Sequence, residues 1–310
     1  MKVGIVGAGM VGSSAAFAIA LMGHASSITL VDANEALAKA QAQDISHAVP
    51  FASSTRLASG SFDDLKDARI VILAAGASQR PGETRLELLS RNAGIIRSIV
   101  TEVLRVAPDA ILIAASNPVD VVTQIAHRVS GLPANRVIGS GTILDSARFR
   151  SLLGQHLGVS PHSIHAYVLG EHGDSEVLAW SSARAGALPI AQVAAQVNVS
   201  LDEAVRAEID SGVRNAAYTI INGKGSTYYG IGAGLARLVE VIGRNQNVVF
   251  SVSSVTEEIE GVRDVALSIP RVLGAGGVVT DLVPQLDETE HAALRQSATI
   301  LKAQIESLSL

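Results

Sequence analysis

The sequence predicts an α/β fold, a doubly wound parallel sheet followed by a second α+β domain, on three observations. Short β-branched runs alternate with longer stretches of helical periodicity through the first half of the chain. That alternation is lost after about Leu144. Nearly half of the residues are hydrophobic (48%) while aromatics make up only 3%, so the interior must be built mainly from Ala, Val, Leu and Ile.

The elements follow in order. Lys2–Val6, Ser27–Val31, Arg69–Ala75, Ala110–Ala115 and Arg136–Gly139 read as strands. Between them Met10–Met22 is a small-residue helix with Gly23 as its stop, and Leu86–Ala107 has helical periodicity behind a capping box of Thr84 and Glu87. A boundary falls near Ser140–Leu144, dividing residues 1–142 from 143–310. Beyond it come a long helix, extended segments around Ser163–Trp180, two helical stretches between Leu201 and Gly243, and β-rich sequence to about Val283. Asp287 and Glu290 form a second capping box that opens a terminal helix.

The 310 residues suffice for a sizeable core. A formal net charge of −5 without Lys/Arg clusters gives no footprint for nucleic acid or an anionic membrane, which points to a small-molecule ligand. The absence of cysteine excludes disulfides, thiolate zinc sites and a cysteine nucleophile. It fits a reducing cytoplasm, and no metal site is expected. Gly4, Gly7, Gly9 and Gly12 interrupt the apolar run from Lys2 to Met22 that could imitate a signal peptide. No segment reaches the ~18 apolar residues needed to span a bilayer.

Gly7, Gly9 and Gly12 form G-x-G-x-x-G directly after the strand Val3–Val6 and at the start of a helix. The tight turn, the approach of backbone to a pyrophosphate and close helix–strand packing all need glycine. The helix start, Met10 and Val11 included, offers free N–H groups and a favourable dipole to the anion. Glycines alone could mark an ordinary turn. Here Asp32 follows Gly12 by twenty residues at the end of the second strand, where a carboxylate accepts both adenosine-ribose hydroxyls and repels a 2′-phosphate. The first domain is therefore expected to be a Rossmann-type dinucleotide-binding unit for NAD. Gly76, Ala77, Ala115, Asn117 and Ser140, at other strand ends, should line the same crevice.

Oxidation of a 2-hydroxy acid needs a base, an orienter for it, a cation for the carboxylate and another near the developing oxyanion. Candidates for all four are present. His172 sits in Leu169-Gly170-Glu171-His172-Gly173-Asp174-Ser175, Asp145 and Arg148 in Leu144-Asp145-Ser146-Ala147-Arg148, and Arg85 ends Gln79-Arg80-Pro81-Gly82-Glu83-Thr84-Arg85. Taken alone, one of eight histidines is more often surface or core, and Asp145 with Arg148 could be a helix-surface ion pair worth tenths of a kcal/mol.

These motifs resemble the L-lactate/malate dehydrogenase family. The likeness continues through Ser116-Asn117-Pro118-Val119-Asp120, Gly139-Ser140-Gly141-Thr142 and Lys224-Gly225-Ser226-Thr227 to the terminal helix, essentially the whole chain. The resemblance implies His172 as the acid/base with Asp145 as its partner, Arg148 bidentate on the substrate carboxylate, and Arg85 on a closing loop as the group that polarises the carbonyl. It also implies Asn117 as a donor to substrate and cofactor, and Thr227 as substrate wall. The residue six before the loop arginine, an arginine in the malate enzymes, is Gln79 here. A second buried carboxylate would lack its counter-charge, so pyruvate and L-lactate are the expected pair. L-malate remains the alternative because Arg80 stands next to that position. Arg150 and His165 match positions that bind fructose 1,6-bisphosphate between subunits in allosteric bacterial relatives, and a homotetramer is a further family implication. A non-catalytic NAD-binding redox sensor would not need the acid/base and substrate cations. The related metal-dependent glycosidases commonly use a cysteine ligand, which this chain lacks.

Overall fold

The structure, a computed structural model, describes residues 1–77, Gly82 and 85–308, with only the backbone described for Arg85 and Leu86. The chain opens with β1 (Lys2–Val6), α1 (Met10–Leu21), β2 (Ser27–Val31), α2 (Glu35–Ala48), β3 (Arg56–Ser59), β4 (Ile70–Leu73), α3 (Arg85–Val106), β5 (Ile111–Ala114), α4 (Val119–Ser130) and β6 (Val137–Gly139). The six strands are parallel in the order β3-β2-β1-β4-β5-β6. The chain thus winds outwards from β1 and restarts in the other direction at β4. The switch between β1 and β4 opens a crevice at the carboxyl ends of those strands.

Alternation of side chains explains how β4 is buried on both faces. Ile70 and Ile72 join a core with Ala15, Ala16 and Ile19 of α1, while Val71 and Leu73 join the opposite core with Ile96 and Val100 of α3 and Ile125 of α4.

The second half contains α5 (Ile143–Leu157), β7 (Ile164–His165), β8 (Val168–Leu169), β9 (Val177–Leu178), β10 (Arg184–Ala185), β11 (Leu188–Pro189), α6 (Ile190–Gln196), α7 (Glu203–Lys224), α8 (Tyr229–Gly243), β12 (Val248–Ile259), β13 (Val262–Gly274), β14 (Gly277–Asp281) and α9 (Glu288–Glu306). Strands β7, β10 and β11 form a small antiparallel sheet, and β8 pairs with β9. The antiparallel ribbon β12–β13–β14 is not a sheet of its own. It joins β6 through Ser253 and Gly139, extending the parallel sheet to nine strands. A Cβ on Gly139 would lie 2.9 Å from that of Ser253, so this junction needs the glycine.

The sequence-predicted strands all form, β1 and β2 with the expected bounds and β4, β5 and β6 shortened, and α1 starts at Met10 as expected. The Asp287/Glu290 capping box is present, each side chain accepting from the other's backbone N–H. Thr84 and Gln79 lie outside the described residues. Sequence reasoning missed α2, β3 and α4, and in the second half the short elements β10, β11 and α6. Only Ala38, Ala42 and Ile45 of α2 are buried, and β3 is an edge strand of alternating exposure, so neither carries a strong apolar pattern.

Candidate active site

Two clefts among the described residues carry the candidate site residues. One, about 890 Å³, is lined by Gly7, Gly9, Asp32, Gly76 and Ala77, with Phe62, Ile95 and Ile99 supplying apolar wall. Gly7 has φ +105°, and a Cβ there would lie 2.5 Å from the Ala75 amide nitrogen. A Cβ on Gly12 would lie 1.8 Å from the Gly7 carbonyl oxygen, so α1 can start this close to β1 only with glycine. Gly9, the residue that caps α1, meets nothing within 4 Å on its Cβ side, leaving space over the helix start carried by Met10 and Val11. The Asp32 carboxylate accepts from the backbone N–H of Ala8 at 2.6 Å and of Asn34 at 2.8 Å. These bonds hold it against the glycine turn, and each oxygen keeps a lone pair for a ribose hydroxyl. Turn, open helix start and fixed carboxylate together fit a dinucleotide.

The ends of β4 and β5 are tied together. Ser116 donates its hydroxyl to the Ala75 carbonyl at 2.6 Å, and the Ala77 N–H donates to the Asn92 side chain at 2.8 Å. Ala115 hydrogen-bonds back to Leu73, and the Ser140 N–H to Ala114. Neither Ala115 nor Ser140 is among the described lining residues of this cleft. Asn92 was missed by sequence reasoning. Its only signal is a polar residue on the buried face of an amphipathic helix.

The second cleft, about 1060 Å³, is lined by Asn117, His172, Glu176, Arg214 and Tyr218, with α9 along one side. His172 is held by backbone bonds to three separate elements. Gly170 exchanges N–H···O bonds with Ser268 of β13 at 2.8 and 2.9 Å, the Glu171 N–H donates to Ser297 Oγ of α9 at 2.8 Å, and the His172 N–H donates to Asp120 Oδ2 of α4 at 2.8 Å. At φ +81°, with a Cβ position only 2.5 Å from Ser297 Oγ, residue 170 has to be glycine. On the other side, the start of α5 is pinned by Thr142 and Ser146. The Thr142 N–H donates to Ser268 Oγ at 3.1 Å, and Ser146 Oγ accepts from the Val168 N–H at 2.9 Å.

This framework brings Asp145 to His172. His172 Nδ1 lies 2.6 Å from Asp145 Oδ2, and Arg148 Nη1 donates to Asp145 Oδ1 at 2.6 Å. The Asp145 side chain is 3% exposed, so it is a buried anion between two cations and not a surface pair. His172 keeps 26% of its side chain exposed towards the cleft. Burial pulls the imidazolium down, but the bond and charge of Asp145, with help from Asp120 and Glu176, outweigh it and push His172 up to about 9. With Nδ1 engaged, Nε2 is the nitrogen left for a substrate.

Asp120 and Glu176 had no role in the sequence reading, although Asp120 lies within one of its motifs and Glu176 directly follows another. Burial pushes the Asp120 carboxyl up to about 6, partly offset by the His172 N–H. Thr227 sits half-buried between α7 and α8, outside the described lining residues of the cleft. Arg150 donates to the Ala166 carbonyl at 3.0 Å, next to exposed His165, and its guanidinium lies 4.9 Å from the centre of the Tyr167 ring. Arg85 begins α3, and Gln79 is outside the described residues.

Residues 1–139 match the family model for the lactate/malate dehydrogenase NAD binding domain, and residues 142–309 match its alpha/beta C-terminal domain. The chain belongs to the lactate/malate dehydrogenase family. Its relatives include an L-lactate dehydrogenase of Allorhizobium ampelinum, 62% identical over 302 residues and covering 97% of each chain. Another, from Thermus aquaticus, is 57% identical over 308 residues and covers 99% of each. Among solved structures, a minor L-lactate dehydrogenase from Enterococcus mundtii in ligand-bound form matches with TM-score 0.95 and 40% identity, over 100% of this chain and 98% of that one. A lactate dehydrogenase from a Medee basin deep-sea metagenome matches with TM-score 0.95 and 39% identity, over 100% and 99%.

Proposed function

We propose that this chain is an NAD-dependent L-lactate dehydrogenase whose acid/base is His172, with residues 1–142 holding the cofactor and 143–310 most of the substrate machinery. The observation that carries the chemistry is the buried chain from His172 through Asp145 to Arg148 beside an open cleft. The bound dinucleotide supplies the hydride in reduction and takes it up in oxidation. Gly7, Gly9 and Gly12, with the N–H groups of Met10 and Val11, receive its pyrophosphate, and Asp32 receives its adenosine ribose. Gly76, Ala77, Ala115, Asn117 and Ser140 complete the crevice.

In pyruvate reduction, protonated His172 gives the Nε2 proton to the nascent alkoxide, and in lactate oxidation the neutral ring takes it from the hydroxyl. Asp145 fixes the tautomer and favours the imidazolium. Arg148 has four N–H donors beyond the one on Asp145, enough for a bidentate grip on the substrate carboxylate. Arg85 polarises the carbonyl, Asn117 donates to substrate, Thr227 lines the wall, and Gln79 selects a methyl over a second carboxylate.

The assembly is proposed to be a cytoplasmic homotetramer, with Arg150 and His165 forming an anion subsite for fructose 1,6-bisphosphate. The support is their placement around Ala166 together with the matching motif positions. Initial rates with pyruvate and oxaloacetate, each with NADH, test the substrate assignment. Higher catalytic efficiency with pyruvate is expected, and a preference for oxaloacetate would make the chain a malate dehydrogenase.

A further inference from the structure

Next to the acid/base pair lies a second carboxyl group whose setting is unlike that of Asp145. Glu176 immediately precedes β9, and its backbone is strapped down. Its N–H donates to the Gly173 carbonyl, and its own carbonyl accepts from Arg214 at 2.7 Å. Arg214, paired with Asp210, also holds the Asp174 carbonyl at 3.0 Å. The backbone that carries the Glu176 side chain is therefore fixed at this place. The residue is 5% exposed, and its Oε1 is buried without a hydrogen-bond partner among the described residues. Ligand-type atoms of Glu176, Asp145 and His172 lie within 4.8 Å of one another.

Three such atoms could suggest a cation site, but Arg148 already occupies Asp145 and the imidazole carries its own proton at neutral pH. The cluster is better described as a place where protons are held. The charges facing Glu176 are Asp145 and Arg148 from α5, Arg214 from α7 and His172 from its own loop, with Asp120 of α4 acting on His172 from elsewhere.

We propose that Glu176, buried beside Asp145 and His172, is a positioning residue that sets how tightly the imidazole holds its proton and hence the alkaline limit of pyruvate reduction. An unpartnered carboxylate is costly away from water, and two carboxylates sharing one site do not both ionise readily. Burial and the charge of Asp145 push Glu176 up to about 8, against the pull of Arg214, His172 and Arg148. At neutral pH the site thus holds one carboxylate, Asp145, between two cations, with Glu176 neutral. As pH rises through about 8, Glu176 ionises beside the imidazolium and opposes loss of the His172 proton. The added anion holds the catalytic proton just where it would otherwise begin to be lost.

The proposal rests on His172 being the acid/base, and its test separates the two. Glu176→Gln keeps the size and removes the charge. In single-turnover pyruvate reduction its alkaline limb should move down by about one pH unit, the scale expected for loss of a neighbouring charge. Glu176→Asp should bring the limb back towards the parent. A folded Glu176→Gln protein whose limb coincides with the parent's overturns the proposal and leaves the acid/base reading standing. A parent with no alkaline limb sinks both. If Glu176→Gln does not fold, a ¹⁵N NMR titration of the His172 ring in the parent decides. Two inflections, near about 8 and about 9, support the proposal, and a single one overturns it.

Discussion

Replacing Asp145 by Asn removes the anion that holds the catalytic proton while keeping a side chain of nearly the same shape. In the parent, His172 is raised from 6.5 to about 9 despite burial that acts in the opposite direction. That difference corresponds to roughly 3 kcal/mol in favour of the imidazolium. Without Asp145 the burial remains and only the smaller pulls of Asp120 and Glu176 oppose it, so the ring should titrate well below 9. Once the ring's value has fallen below the working pH, each further unit of the fall costs about tenfold in protonated fraction, and so in reduction rate from proton occupancy alone. Lowering the pH should recover much of that loss. Arg148 also loses its 2.6 Å partner, so weaker pyruvate binding should accompany the shift. Stopped-flow oxidation of bound NADH by pyruvate, from acid to alkaline pH, separates the two effects. The limb should move down by at least about one unit, and the opposite limb of lactate oxidation should move with it. An alkaline limb that stays near 9 in Asp145→Asn would refute the reasoning.

Three other outcomes follow from residues placed above. The Asp32 carboxylate, held against the glycine turn by Ala8 and Asn34, should make NADH preferred over NADPH, and equal or better efficiency with NADPH would defeat that assignment. Gln79→Arg should raise activity with oxaloacetate and lower it with pyruvate, because the new cation needs the second carboxylate; steady-state rates with both substrates check this. Fructose 1,6-bisphosphate should lower the pyruvate concentration needed for half-maximal rate. No response at millimolar additions, with Arg150→Gln matching the parent, would remove the anion subsite.

The parallel half of the fold was legible in the sequence because its strands are short apolar runs separated by helical periods, and because glycine, strand and acidic residue fall at the spacing that one phosphate turn requires. The ribbon β12–β13–β14 was visible as β-rich sequence, but its attachment to β6 was not. That contact depends on Gly139 meeting Ser253 across more than a hundred residues of chain, and local pattern carries no trace of it. At the candidate active site, His172, Asp145 and Arg148 were named from motifs, yet the motif alone could not distinguish a surface ion pair from a buried one. The 3% exposure of Asp145 makes that distinction. Glu176 and Asp120 went without roles because their importance arises from burial and from what lies opposite them. No helix among the described residues is long and apolar enough to cross a membrane.

The most direct test of the account is single-turnover hydride transfer in His172→Asn, with NADH affinity measured in parallel. The glycine turn and Asp32 are untouched by this change, so NADH should bind as in the parent. Pyruvate reduction should fall by at least the ~10²–10⁴ that general acid/base catalysis contributes, roughly 3–5 kcal/mol of barrier, and the remaining rate should lose its alkaline limb. Transfer at a near-parental rate by His172→Asn, with NADH bound, would contradict the account by showing that another group carries the proton.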